Sequence, residues 1–466
     1  MILMVLGGFS IVAQGILKSP TSVNGKPGHF AYAPSMKPVF KTVADSAQYQ
    51  QLQQWMSMSN PPIARDSIWP MFVRLMNRAT RYKPVYQGER DFKNLSEIGD
   101  DELGTATRIS IQITSKIDKR ILKCHQVVAL ELVNTSVRKV PSWLNKLDSL
   151  KSIRVVNNQS RRPLKIGRNK QIQTLVIRGD RPDALPKRYA QLKNLKTLDL
   201  CGTKLQQIPS SVFACKRLQS LILKGNFITL NNYAFPVQKS LDRLDLSANQ
   251  IKVVPGSIGN LTALTKLVFS YNDVETIEPG LSRLANLTQF SLYSNNIKTF
   301  PEELYELRNL RELDLYFNEF ERLDNRIENW QQLEILYLAN NKLIAVPETI
   351  GKLKNLREVY LHNNRISSLP EGITQLPHLR VLRVNKNGIM ALPDSINQLQ
   401  LLENLDISQN RISSLPEGFW SYSKLKILGL SLNPWEESIR SIIQQKTEEL
   451  RARNIVVNVG DVVSEN

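Results

Sequence analysis

Apolar residues return along this chain in one fixed frame. In Leu241-Asp-Arg-Leu244-Asp-Leu246-Ser-Ala-Asn249-Gln-Ile251-Lys-Val-Val254-Pro255, Leu244 and Leu246 flank Asp245 and an asparagine closes the run. Alternation with a period of two predicts a short strand with one buried face. The closing asparagine recurs at Asn226, Asn249, Asn272, Asn295, Asn318, Asn341, Asn364, Asn387, Asn410 and Asn433, always 23 residues apart. A constant period of this length predicts a solenoid, in which each turn is one supersecondary unit.

The frame explains itself physically. A buried asparagine has to satisfy both its carbonyl and its amide. In a stack it can do so with the backbone of its own turn and the next turn, forming a ladder. Pro255 stops the chain from returning to a strand, and the spacing of Ile258, Leu261 and Leu264 carries it around the outside. One turn cannot bury its leucines alone, so stability is the sum of repeat and interface contributions. Strands spaced about 4.8 Å apart, with bulkier segments outside them, curve the stack and leave the strands on the concave side.

Degenerate copies precede the regular ones. Thr135, Asn158, Asp180 and Thr203 occupy the asparagine slot, and the first frame position runs from Val127 to Leu425, which makes fourteen repeats. The repeats near Asn158, Asn226 and Asn318 lack the Leu-Pro pair, so outer segments of different shape are expected there. Fourteen strands predict a concave sheet on the order of 65 Å long.

The pattern LxxLxLxxNx[IL]xxLP, carried by residues 127–433, resembles the leucine-rich repeat family. The continuation Pro347-Glu-Thr-Ile350-Gly-Lys-Leu353-Lys-Asn-Leu356 is similar to the 23-residue subtype of Ras-related scaffold repeats. The resemblance implies an α/β solenoid: a leucine-rich-repeat horseshoe with a concave parallel sheet. It implies fold more strongly than function, because the family binds many unrelated partners.

Outside the repeats the reading is coarser. Residues 1–15 combine an apolar run, Met1 to Ala13, with a small-x-small Ala13-Gln-Gly15, the pattern of a secretory signal peptide. No Lys or Arg precedes Lys18, and the run is too short to span a bilayer. Export to the periplasm, cell surface or medium is the expectation, with a cytoplasmic location the alternative. Residues 16–43 read as a Pro-rich linker, and 44–126 as a helical and mixed N-terminal region and cap. Arg108-Ile-Ser-Ile-Gln-Ile113 alternates like a strand. Residues 434–466 read as a C-terminal cap. Trp435, Ile439, Ile442/Ile443 and Leu450 share one helical face there, and Asn454 to Val459 forms a strand-like run.

Charge narrows the partner question. The chain carries a formal +19, yet residues 195–466 contribute only +1; the excess lies in the first 194 residues. Three cysteines, Cys124, Cys201 and Cys215, form no CxxC and support neither a disulfide framework nor a zinc cluster. The four histidines stand in no spacing with a nucleophile or ligand set, and no phosphate-binding glycine loop occurs. No enzyme, cofactor or metal site is expected.

Two candidate binding sites remain. The outward frame positions of the middle repeats hold Tyr271, Tyr293, Tyr316, Phe317, Tyr337, Tyr360 and His362, with Arg383 beside them. Stacking places them in one contiguous patch. Exposed aromatics on a rigid surface dominate binding hot spots; cross-strand ring pairing that only stabilises the sheet is the alternative. The second candidate is a basic block, Arg154, Arg161, Arg162, Lys165, Arg168 and Arg178, suited to an anionic polymer. Few aromatics interleave with it, which disfavours single-stranded nucleic acid. The expected function is a non-catalytic scaffold holding a protein or peptide on the concave face. An exported receptor for an anionic polymer such as a surface polysaccharide, and a cytosolic signalling adaptor, are the alternatives.

Overall fold

In a computed structural model of the chain, the described residues are 92–459, except 161, 167–168, 180–185 and 187–188, together with the strands Ser35–Val39 and Arg81–Val85. The signal-peptide reading, the two helices expected over 44–82 up to residue 80, and Asp180, Arg161 and Arg168 lie outside them; Arg81 and Tyr82, at the expected helix end, belong to a strand instead. Ser35–Val39, inside the expected linker, pairs antiparallel with Arg81–Val85.

All fourteen expected strands form, from Ala129–Val133 to Ile427–Gly429. Three more extend the same sheet to seventeen: Lys93–Asn94 and Arg108–Gln112 before the first repeat, and Val456–Asn458 after the last. Every pairing within it is parallel and without slippage. Leu244 lies opposite Leu267, and Leu313 opposite Leu336. Residues of equal rank therefore form straight columns across the sheet. Among the described residues no register joins Lys93–Asn94 to Val456–Asn458, so the sheet is an open arc. At about 4.8 Å per strand it is roughly 75 Å along the arc.

The asparagine ladder is the seam. Asn295 donates from Nδ2 to the carbonyls of Leu292 (2.8 Å) and Phe269 (3.1 Å), and its Oδ1 accepts from the Val274 amide at 2.9 Å. The same triplet recurs at Asn249, Asn341 and Asn410. The partner turn is the preceding one, not the next: two strand-end carbonyls, 23 residues apart, converge on one amide.

The outer segments differ from an α/β reading in detail. They are single 3-10 turns such as Gly256–Asn260 and Glu348–Lys352, entered through Pro255 and Pro347 with φ −72°. Proline's fixed φ suits that entry. After Asn318 the missing proline is replaced by Asp324, whose carboxylate caps the Arg326 amide at 2.8 Å, so the turn Asn325–Asn329 still forms. After Asn226 no helical turn forms before the next strand. Among the described residues, one α-helix occurs, Glu437–Ala452. It buries Ile443 and Leu450 over the last repeat and leaves Ile442 exposed. Cys124, Cys201 and Cys215 are free and buried.

Candidate interaction site on the concave sheet

Each strand sends two leucines inward and leaves four outward positions: the two flanking the first strand leucine, and the two that precede the ladder asparagine. The last of these is held at positive φ in repeat after repeat. Gly202, Gly225, Asn340 and Asn363 occupy it at 65°, 68°, 53° and 55°. Glycine and asparagine tolerate that region best. At Tyr271 (57°) and Phe317 (55°) the same slot holds a ring, and both rings are exposed.

The structure brings the predicted aromatics together in two groups. Tyr293 is the hub of the first. Its ring lies 4.9 Å from Tyr271, 5.5 Å from Tyr316 in a parallel stack, and 5.6 Å from Phe317, edge to face. Tyr316 continues the contact to His362 at 5.4 Å, and its hydroxyl lies 2.6 Å from His362 Nε2. The second group is Tyr337 stacked on Tyr360 at 4.8 Å. Tyr360 donates to Glu358 Oε2 at 2.8 Å. Cross-strand pairing is thus real, and it leaves Tyr271 and Phe317 presenting ring surface to solvent.

Electrostatics inside the patch follow from desolvation. Burial, reinforced by the nearby Arg383 charge, lowers the His362 imidazole to about 4, so it is neutral at physiological pH. Burial raises Asp314 to about 6, against hydrogen bonds from Ser291 Oγ and the Tyr316 amide. Burial also pushes the Tyr337 phenol up to about 12, and the carboxylates Glu358, Glu312 and Asp314 add to the rise. Arg383 ends the patch and is held by Asp406 at 3.2 Å. The carboxylates Glu312 and Glu358 were not picked out from sequence; reading the third frame position down its column finds both.

Among the described residues, the members of the basic block are dispersed. Arg154 is paired with the buried Glu131 at 2.9 Å, and Arg178 with Asp199, so both charges are spent inside the sheet face. Burial pushes Asp199 up to about 6, with Arg178 and Arg154 opposing the rise. Lys165 belongs to a different two-stranded sheet, Lys139–Val140 with Lys165–Ile166, and Arg162 is an exposed loop residue. The anion-binding expectation therefore finds no support among the described residues. Like charges along the sequence were divided between two sheets, and acids one repeat away took up the concave pair.

The comparisons agree with this architecture. A leucine-rich repeat region model matches residues 325–451, and a leucine rich repeat model matches 216–274 and 263–320. The chain belongs to the leucine-rich repeat family. A search of curated proteins finds no match. Among solved structures, a leucine-rich repeat protein of Leptospira interrogans is similar at TM-score 0.60 and 23% identity, over 77% of this chain and 97% of that one. The Toll–Spatzle complex of Drosophila provides another, similar at 0.59 and 21%, over 76% of this chain and 51% of that one. A plant peptide hormone receptor, also solved as a complex, is similar at 0.54 and 22%, over 72% and 61%.

Proposed function

We propose that this leucine-rich repeat protein is a non-catalytic scaffold that grips a protein or peptide partner on its concave face, centred on Tyr271, Tyr293, Tyr316, Phe317, Tyr337, Tyr360 and His362. The supporting observation is the pair Tyr271 and Phe317. Rings are kept exposed, in a backbone conformation that disfavours them, on a frame rigid enough to cost little ordering on binding. Complexes of Toll and of the plant receptor accord with a binding role for this architecture. The test is the double substitution Tyr316→Ala with Tyr337→Ala. It should abolish capture of the partner while the ladder, and hence the fold, persists. Capture that survives the loss of both rings would place the site elsewhere.

The same reading includes export, supported by the apolar run 1–13 and Ala13-Gln-Gly15. N-terminal sequencing of the native protein tests it; an intact Met1 on the mature chain would favour the cytosolic adaptor instead. Among the described residues no helix is long and apolar enough to cross a membrane.

A further inference from the structure

We infer that the partner presents a lysine or arginine side chain to the centre of this aromatic face; the inference rests on the binding reading above. Charge complementarity carries it. In the four repeats whose strands run from Gln289–Ser291 to Glu358–Tyr360, the outward positions hold Glu312, Asp314 and Glu358 and no lysine or arginine. This is an anionic island in a chain of net +19.

The carboxylates surround ring surface. Asp314, Tyr337 and Tyr360 lie side by side in one column, and Glu312 and Glu358 flank Ile335 in the next. Arg311 and Arg357, one position before their strands, are both engaged by Glu334. The neighbouring imidazole, His362, is uncharged. A cation set over tyrosine rings and met by carboxylates gains from the ring quadrupole and from the charges together, more so where water is excluded.

The flanks restrict the partner further. Arg243 and Lys266 border the island on one side, and Arg383, paired with Asp406, and Lys386 on the other, all on the same face. A uniformly basic segment would meet like charge at both ends. The fitting occupant is an extended segment with one lysine or arginine among apolar or acidic neighbours.

The experiment pans a phage-displayed library of random peptides against the immobilised full chain, then titrates the enriched peptides. Enriched peptides should carry lysine or arginine beside an apolar or aromatic residue. Glu312→Gln with Glu358→Gln should weaken them about tenfold with an unchanged melting temperature, and citrulline in place of arginine should do the same. Enriched peptides without a cation, or cationic ones indifferent to the two glutamines, overturn the inference and leave the binding reading standing. No enrichment at all overturns both.

Discussion

The Tyr316 hydroxyl lies 2.6 Å from Nε2 of His362, although the two residues are 46 positions and two repeats apart. Ala339 occupies the same column between them and is fully buried. A methyl group there lets the tyrosine reach across one repeat to the next but one. Replacing it with a longer side chain, Ala339→Leu, should separate the pair and lift the imidazole into water. The expected outcome is a His362 pKa that rises from about 4 toward the ordinary 6.5, read by NMR titration of the ring protons. An unchanged titration would mean that Ala339 does not hold the pair together.

The same imidazole makes stability depend on pH in a predictable sense. Its folded pKa is lowered, to about 4 from 6.5. Above pH 6.5 both folded and unfolded forms are neutral, and the contribution is complete. Between 6.5 and 4 the unfolded chain takes a proton that the folded one refuses, so stability falls with acidification. Asp314 acts in the opposite direction. Its folded pKa is raised to about 6, so its contribution is complete below 3.8 and is lost as pH rises through 6. His362→Gln should therefore lose less melting temperature than the natural chain between pH 7 and 4.5, and Asp314→Asn should lose more. Parallel curves for all three would contradict both assignments.

Removing one rung tests the ladder. Asn295 is fully buried and serves the carbonyls of Phe269 and Leu292 and the amide of Val274. Asn295→Ala leaves the Val274 amide without a partner, while the carbonyls of Phe269 and Leu292 keep the amides of Asn272 and Asn318, and should cost about 2 kcal/mol. Asn387, with the same bonds but only half-buried, should cost less when replaced. Long repeat arrays need not unfold in one step. Local opening is therefore the better measure: hydrogen exchange at the Val274 amide should accelerate more in Asn295→Ala than exchange at the Ile366 amide does in Asn387→Ala.

What could be read in the sequence was whatever repeats. Leu244, Leu246 and Asn249 announce a strand and its seam because backbone groups and leucines have few ways to be satisfied, and the same solution recurs. The direction of the seam, toward the preceding turn, was not legible, since either neighbour offers equivalent carbonyls. Nor was the 3-10 form of the outer turns. Apolar residues three apart, as at Ile258 and Leu261, suit both helix types. The aromatic columns were legible from the frame alone, but the bond from Tyr316 to His362 was not, because it depends on the size of Ala339 between them. The error at Arg154 and Arg178 came from reading charge along the chain. Read across it, Glu131 stands directly opposite Arg154, and Asp199 lies one strand from Arg178.

Ile113 stands in the positive-φ slot without ring contacts to justify it. It lies at φ 47° and is 82% exposed. A β-branched residue is the type least suited to that region, at about 1–2 kcal/mol. In the next two repeats the slot holds Asn134 and Asn157 at 50° and 53°, and Asn157 Nδ2 donates to Asn134 Oδ1 at 2.6 Å. Ile113→Asn relieves the backbone and sets a carboxamide where that of Asn134 can bond to it. It surrenders almost no buried apolar surface. The substitution should stabilise the N-terminal edge of the sheet by about 1 kcal/mol. Ile113→Ala keeps a Cβ in the same backbone conformation and gains less. Chemical denaturation of the two variants beside the natural chain separates these effects: equal midpoints for both would show that the left-handed conformation costs this edge nothing.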